Sequence, residues 1–122
     1  MQVSRKKLNK NIKNQINEIF NQVITDIKTP TEASDFFSGL LTDTEKQALV
    51  KRLAIAIFLD KGRSYENIKN ILKVSSATIA TVNEHLGDPG VQMALRKIKA
   101  EDWANAWTDK ITNLVGKLLP AK

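Results

Sequence analysis

The sequence predicts an all-α protein. Three observations carry that expectation. Apolar residues recur at steps of three and four along most of the 122 residues, capping signals stand ahead of nearly every such segment, and no stretch alternates apolar and polar as a strand would. Six or seven helices in a single domain over residues 1–122 are expected, a length that supports one modest core.

Residues 5–28 place Leu8, Ile12, Ile16, Ile19, Phe20, Val23, Ile24 and Ile27 on one stripe of a long first helix. Thr29-Pro30-Thr31-Glu32 starts the second: Thr29 caps, Pro30 fits the first helical position, and Glu32 sits three after the cap. That helix is expected to end near Ser38. Thr42-Asp43-Thr44-Glu45 is a second capping box, opening a helix to about Lys61, with Gly62 in the left-handed position that ends it. Leu53 to Leu59 is apolar on every side, so it must be covered on every side, by the first helix, the later helices or a second subunit. A short helix over Ser64–Lys73, a turn, and a helix from Ser76 to about Leu86 follow. Gly87 ends that helix and Asp88-Pro89 starts the next. In the last stretch Trp103, Trp107, Ile111, Leu114 and Leu118 share one face. The expected role of Trp103 and Trp107 is core or dimer packing, with base stacking as the other reading.

Composition narrows the function. Net charge is +6; residues 1–28 hold six basic and two acidic residues, and residues 87–122 six and four, so the positive charge sits mostly at the ends. A basic balance favours polyanions, and equally serves plain solubility. There is no cysteine, hence no disulfide or thiolate metal site. No apolar run reaches membrane-spanning length, and the N-terminus reads as a basic helix face, so a cytoplasmic setting is expected. One histidine, no cysteine and no glycine-rich phosphate loop leave no catalytic set, and no enzyme activity, metal or cofactor is expected.

The segment KVSSATIATVNEHL, from Lys73 to Leu86, has the form of the turn and second helix of a helix-turn-helix. That motif needs two helices crossing steeply around a tight turn, and hence a fixed set of buried positions. Counted from Tyr65, apolar residues belong at places four, eight, ten, fifteen and eighteen; Ile68, Leu72, Val74, Ile79 and Val82 fill all five. Ser75 stands where the second helix needs its cap. Two places depart: Lys69 replaces a small residue and Lys73 replaces a glycine.

The run from Phe36 to Leu86 resembles the Trp repressor family, and within it the proteins of poorly defined function. Leu41-Thr42, Glu45, Ala48-Leu49, Arg52, Leu59, Gly62, Ser64-Tyr65, Ile68, Leu72, Val74-Ser75 and Thr78-Ile79 carry the resemblance, over less than half of the chain. The family's repressors also carry lysine at the place of Lys69. The resemblance implies an interlaced homodimer, woven from the N-terminal and C-terminal helices, with two recognition helices about one DNA turn apart. It also implies where a tryptophan corepressor would sit: its indole between two arginines, its amino group on a serine. Arg52 matches the first arginine, Thr81 falls at the second, and His85 stands at the serine. A site without its second guanidinium and its amine anchor suits tryptophan poorly. Thr42, Arg52, Thr81 and His85 are the candidate ligand contacts, and no tryptophan corepressor is expected.

Ser75, Ser76, Ala77, Thr78 and Thr81 are the candidate base-facing positions, and Arg63, Lys69 and Lys73 the candidate phosphate contacts. From Val74 to Val82 there is no charged residue, while a strong base code uses Arg, Lys, Asn or Gln. DNA contact through shape or water is one reading of this helix; a polar helix start is the other. The lysines read equally as solvated side chains, and Arg52 as a structural ion pair. Arg5, Lys6, Lys7, Lys10 and Lys13 form a basic arm or the solvated face of the first helix. The expected function is a homodimeric, duplex-DNA-binding transcriptional regulator. Its alternatives are a protein-interaction module that keeps the fold without reading DNA, and single-stranded nucleic-acid binding through the basic ends.

Overall fold

A computed structural model of the chain describes residues 5–100, 109–111 and 113. Among these residues it is all-helical, with no strand. The helices are α1 (Lys10–Asp26), α2 (Pro30–Leu40), α3 (Asp43–Asp60), α4 (Tyr65–Leu72), α5 (Ser76–Glu84) and α6 (Pro89–Lys99). Residues 109–111 are also helical. No helix among the described residues is long and apolar enough to cross a membrane. The chain divides into two compact units, Met1–Lys46 and Gln47–Lys122.

In the first unit, α1 starts at Lys10 and not at residue 5. The Asn9 side chain accepts from the N–H groups of Asn11 and Ile12 at 2.9 and 3.3 Å, which satisfies the first-turn donors and sets the boundary. Arg5, Lys6 and Lys7 therefore precede the helix, while Lys10 and Lys13 lie on it. The apolar stripe finds little cover within the unit: α1 has no buried residue, and Ile19 is 64% exposed. Phe20 meets Phe36 of α2 with ring centroids 5.9 Å apart. The expected box at α2 forms, since Thr29 Oγ1 accepts from the Glu32 N–H at 3.1 Å. α2 then runs two residues beyond the expected Ser38.

The box ahead of α3 is reciprocal. Thr42 N–H donates to Glu45 Oε1 at 2.9 Å, and Glu45 N–H donates to Thr42 Oγ1 at 3.1 Å. Hydrogen bonding from Thr42 to the carboxyl, from its backbone N–H first and its side chain second, holds Glu45 below the usual carboxylate range. The other end of α3 closes as expected. Gly62 takes φ +79°, its N–H donates to Leu59 O at 3.0 Å, and Arg63 N–H donates to Phe58 O at 3.0 Å. That 6→1 and 5→2 pair satisfies carbonyls the helix end would leave orphaned.

The core of the second unit gathers Ile55, Ala56 and Phe58 of α3 with Ile68 of α4 and Ile79 and Val82 of α5. Leu59, Leu72, Val74, Leu86, Val91 and Ile111 pack around it, half-buried. Burying the apolar segment of α3 is thus achieved on the side of α4 and α5. Earlier on the same helix, Leu49, Val50 and Leu53 remain 49, 59 and 44% exposed. A 2.9 Å ion pair between Lys99 Nζ and Asp60 Oδ2 joins the ends of α6 and α3. Trp103, Trp107, Leu114 and Leu118 of the expected last stripe lie outside the described residues.

Candidate nucleic-acid interface

The α4–α5 pair is built by two serine caps and one tight turn. Ser64 Oγ accepts from Asn67 N–H at 3.1 Å and opens α4; Ser75 Oγ accepts from Thr78 N–H at 3.1 Å and opens α5. Between them the chain reverses at Lys73, with φ 56° and ψ 53°. Lys73 N–H donates to Lys69 O at 3.0 Å, closing the last turn of α4. This explains the departure at the ninth place: the turn needs the left-handed conformation that glycine takes freely, and here a lysine takes it. All five apolar places of the motif belong to the core. Ile68 and Ile79 are fully buried, Val82 nearly so, and Leu72 and Val74 half-buried against them.

That core fixes which side of α5 faces out. Ser75, Ser76, Ala77 and Thr81 are exposed and Thr78 is half-buried. Their hydroxyls are partly used within the helix: Ser75 Oγ and Thr78 Oγ1 share a hydrogen bond of 3.0 Å, and Thr81 Oγ1 donates to Ala77 O at 3.0 Å. Lys69 at the end of α4 and Lys73 in the turn are exposed, on the approach to α5. Arg63 is half-buried just before α4, and Glu84 is exposed at the far end of α5. The structure thus joins seven of the eight candidate DNA contacts, Lys69 to Thr81, in one continuous segment, with Arg63 at the start of α4.

The candidate ligand contacts divide. Arg52 and His85 both line a cavity of about 310 Å³ between α3, α5 and α6, with Leu49, Leu53, Ala56, Val82, Gly90, Val91 and Ala94. Thr42 and Thr81 are not among its lining residues. Thr42 is occupied in capping α3, and Thr81 in its bond to Ala77. The His85 ring is engaged as well: Nδ1 lies 2.8 Å from Asp88 Oδ2. Asp88 stands at the cap position of α6 yet makes no side-chain cap bond, its carboxylate being turned to His85. Asp88 and the α6 wall of the cavity were not foreseen as site residues. The His85–Asp88 spacing of three was visible, but Asp88-Pro89 also marks a helix start, and that role hid the pairing.

The sequence profile of the family described as Trp repressor protein matches residues 14–99. The chain is similar to the uncharacterized protein YerC of Bacillus subtilis (strain 168), with 33% identity over 87 residues, covering 70% of this chain and 83% of that protein. No solved structure gives a significant match.

Proposed function

The chain belongs to the Trp repressor family, whose profile covers it from residue 14 to 99, and on that premise we propose that it is a homodimeric transcriptional regulator that binds duplex DNA. The observation that carries this reading is the outward face of α5, set on a helix-turn-helix core with all five apolar places filled and approached by the exposed Lys69 and Lys73. In this reading α5 enters the major groove, Lys69, Lys73 and Arg63 hold phosphates, and Ser75, Ser76, Ala77, Thr78 and Thr81 face the bases. With no cation from Val74 to Val82, affinity comes mainly from the backbone contacts, and sequence selectivity is modest.

The second subunit covers the apolar surface that the single chain leaves exposed, the α1 stripe and Leu49, Val50 and Leu53 of α3. The regulator works in the cytoplasm without a tryptophan corepressor. Among the described residues Arg52 alone offers a guanidinium to the cavity, and the His85 ring is held by Asp88. Arg52 and His85 keep a structural role there.

The test is fluorescence anisotropy of a labelled random duplex titrated with salt, with a single-stranded competitor. The reading expects duplex binding whose logarithm falls linearly with the logarithm of salt. Absence of binding at low salt, with a stable protein complex recovered instead, would assign the uncharged α5 to a protein partner.

A further inference from the structure

We propose that α5 reads the 5-methyl groups of thymine, so that the duplexes this protein prefers carry A·T pairs under the exposed face of α5. This rests on the DNA-binding reading and names the class of sequence that the same surface selects.

Between Val74 and Val82 there is no Arg, Lys, Asn or Gln. Within that stretch the bidentate contacts that single out guanine through O6 and N7, or adenine through N6 and N7, are therefore not on offer; Asn83, exposed in the last turn of α5, lies beyond it. Four hydroxyls remain, on Ser75, Ser76, Thr78 and Thr81. Two of their four protons are held inside the helix, one between Ser75 and Thr78 and one on the Ala77 carbonyl. Ser76 is the hydroxyl of this face that meets no protein group among the described residues.

What the face does offer is methyl groups. Ala77 presents its β-methyl. Thr81, with its oxygen bonded back to Ala77 O, presents its γ-methyl. Ala77 and Thr81 are four residues apart, one turn along the same exposed strip. Their side chains stand about 6 Å apart, a span of one to two base-pair steps at about 3.4 Å each. On the major-groove edge of the four pairs the one apolar group is the thymine methyl, and alanine and threonine methyls are its natural contacts. Docking α5 buries these exposed methyls, and burial is favourable only where the opposing surface is also apolar.

The experiment deletes the methyl from the DNA and leaves the protein intact. Duplexes are selected from a random pool by the full-length chain, and each thymine of the best duplex is replaced in turn by deoxyuridine. Loss of one buried methyl is expected to weaken binding about fourfold per contacted thymine. Thr81→Ser keeps the hydroxyl and its bond and removes only the γ-methyl. It should weaken binding to the thymine duplex by a similar factor and abolish the penalty at one uracil position. Restoring the methyl on a pyrimidine at that position as 5-methylcytosine should recover part of the lost affinity relative to cytosine. Equal affinity for the thymine and the fully uracil-substituted duplex would overturn the inference while leaving DNA binding in place. No binding to any duplex would instead remove the DNA-binding reading, and this inference with it.

Discussion

Replacing Lys73 tests the turn on which the candidate interface depends. Lys73 is the described non-glycine residue with positive φ, at 56°. A β-carbon in that conformation crowds the following carbonyl and costs about 1–2 kcal/mol. Lys73→Ala keeps that crowding and Lys73→Gly removes it, while both delete the same exposed ammonium. Glycine gives back about 0.4–1 kcal/mol through the extra freedom of the unfolded chain. The difference leaves Lys73→Gly more stable than Lys73→Ala by about 0.5–1 kcal/mol, or about 2–4 °C in Tm for a chain of this size. Thermal and urea denaturation followed by circular dichroism measure it. Equal stability of the two variants, or a more stable alanine variant, would refute the left-handed turn between α4 and α5. Lys73 thus costs stability where glycine would not, and it places a cation beside α5.

Further predictions follow from the same geometry. Lys69→Ala combined with Lys73→Gly should reduce the salt slope of duplex binding by about one for each lysine that meets a phosphate; an unchanged slope would remove both from the interface. Light scattering should give twice the 13.7 kDa chain mass, and Ile16→Lys, in the exposed stripe of α1, should shift it toward the monomer; a monomeric wild type at micromolar concentration would sink the dimer. Hydrogen bonds from Thr42 lower the Glu45 pKa in the folded state, so the α3 box stabilises the fold fully above the unfolded-state value and loses that effect as pH falls through the folded one. Glu45→Gln should therefore flatten the acid side of the stability profile, and Thr42→Ala should cost about 1 kcal/mol at neutral pH; acid profiles that coincide would contradict the box.

Most of the fold was legible because helix starts are local chemistry. Thr29-Pro30, Thr42 with Glu45, Ser64, Ser75 and Asp88-Pro89 each stand at the boundary that the sequence suggests. The first helix was less legible because its apolar spacing continues through Leu8, whereas the Asn9 cap excludes that residue. The sequence puts the end of α5 at about Leu86, but the helix stops at Glu84, where His85 turns toward Asp88.

Side-chain partnerships across the fold were harder to read. Asn67 would pass for a solvent-facing helix residue, yet it is 8% exposed, and its Oδ1 is buried with no hydrogen-bond partner among the described residues. The cavity holding Arg52 and His85 takes one wall from Gly90, Val91 and Ala94, small or apolar residues whose spacing on α6 signals packing and no more. The candidate DNA contacts were easier to read, because those from Lys69 to Thr81 fall in one short segment of the chain. Their division into engaged and outward hydroxyls depends on side-chain hydrogen bonds within α5 that spacing alone does not settle.

In the proposed function the outward face of α5 meets duplex DNA. Its most direct test is the amide spectrum of the isotopically labelled protein, recorded while a selected duplex is added. Shift changes concentrated from Lys69 to Thr81, with Arg63 included and the α1 stripe unmoved, are expected. Changes confined to α1 or α6, with Ser75 to Thr81 unmoved, would contradict that proposal.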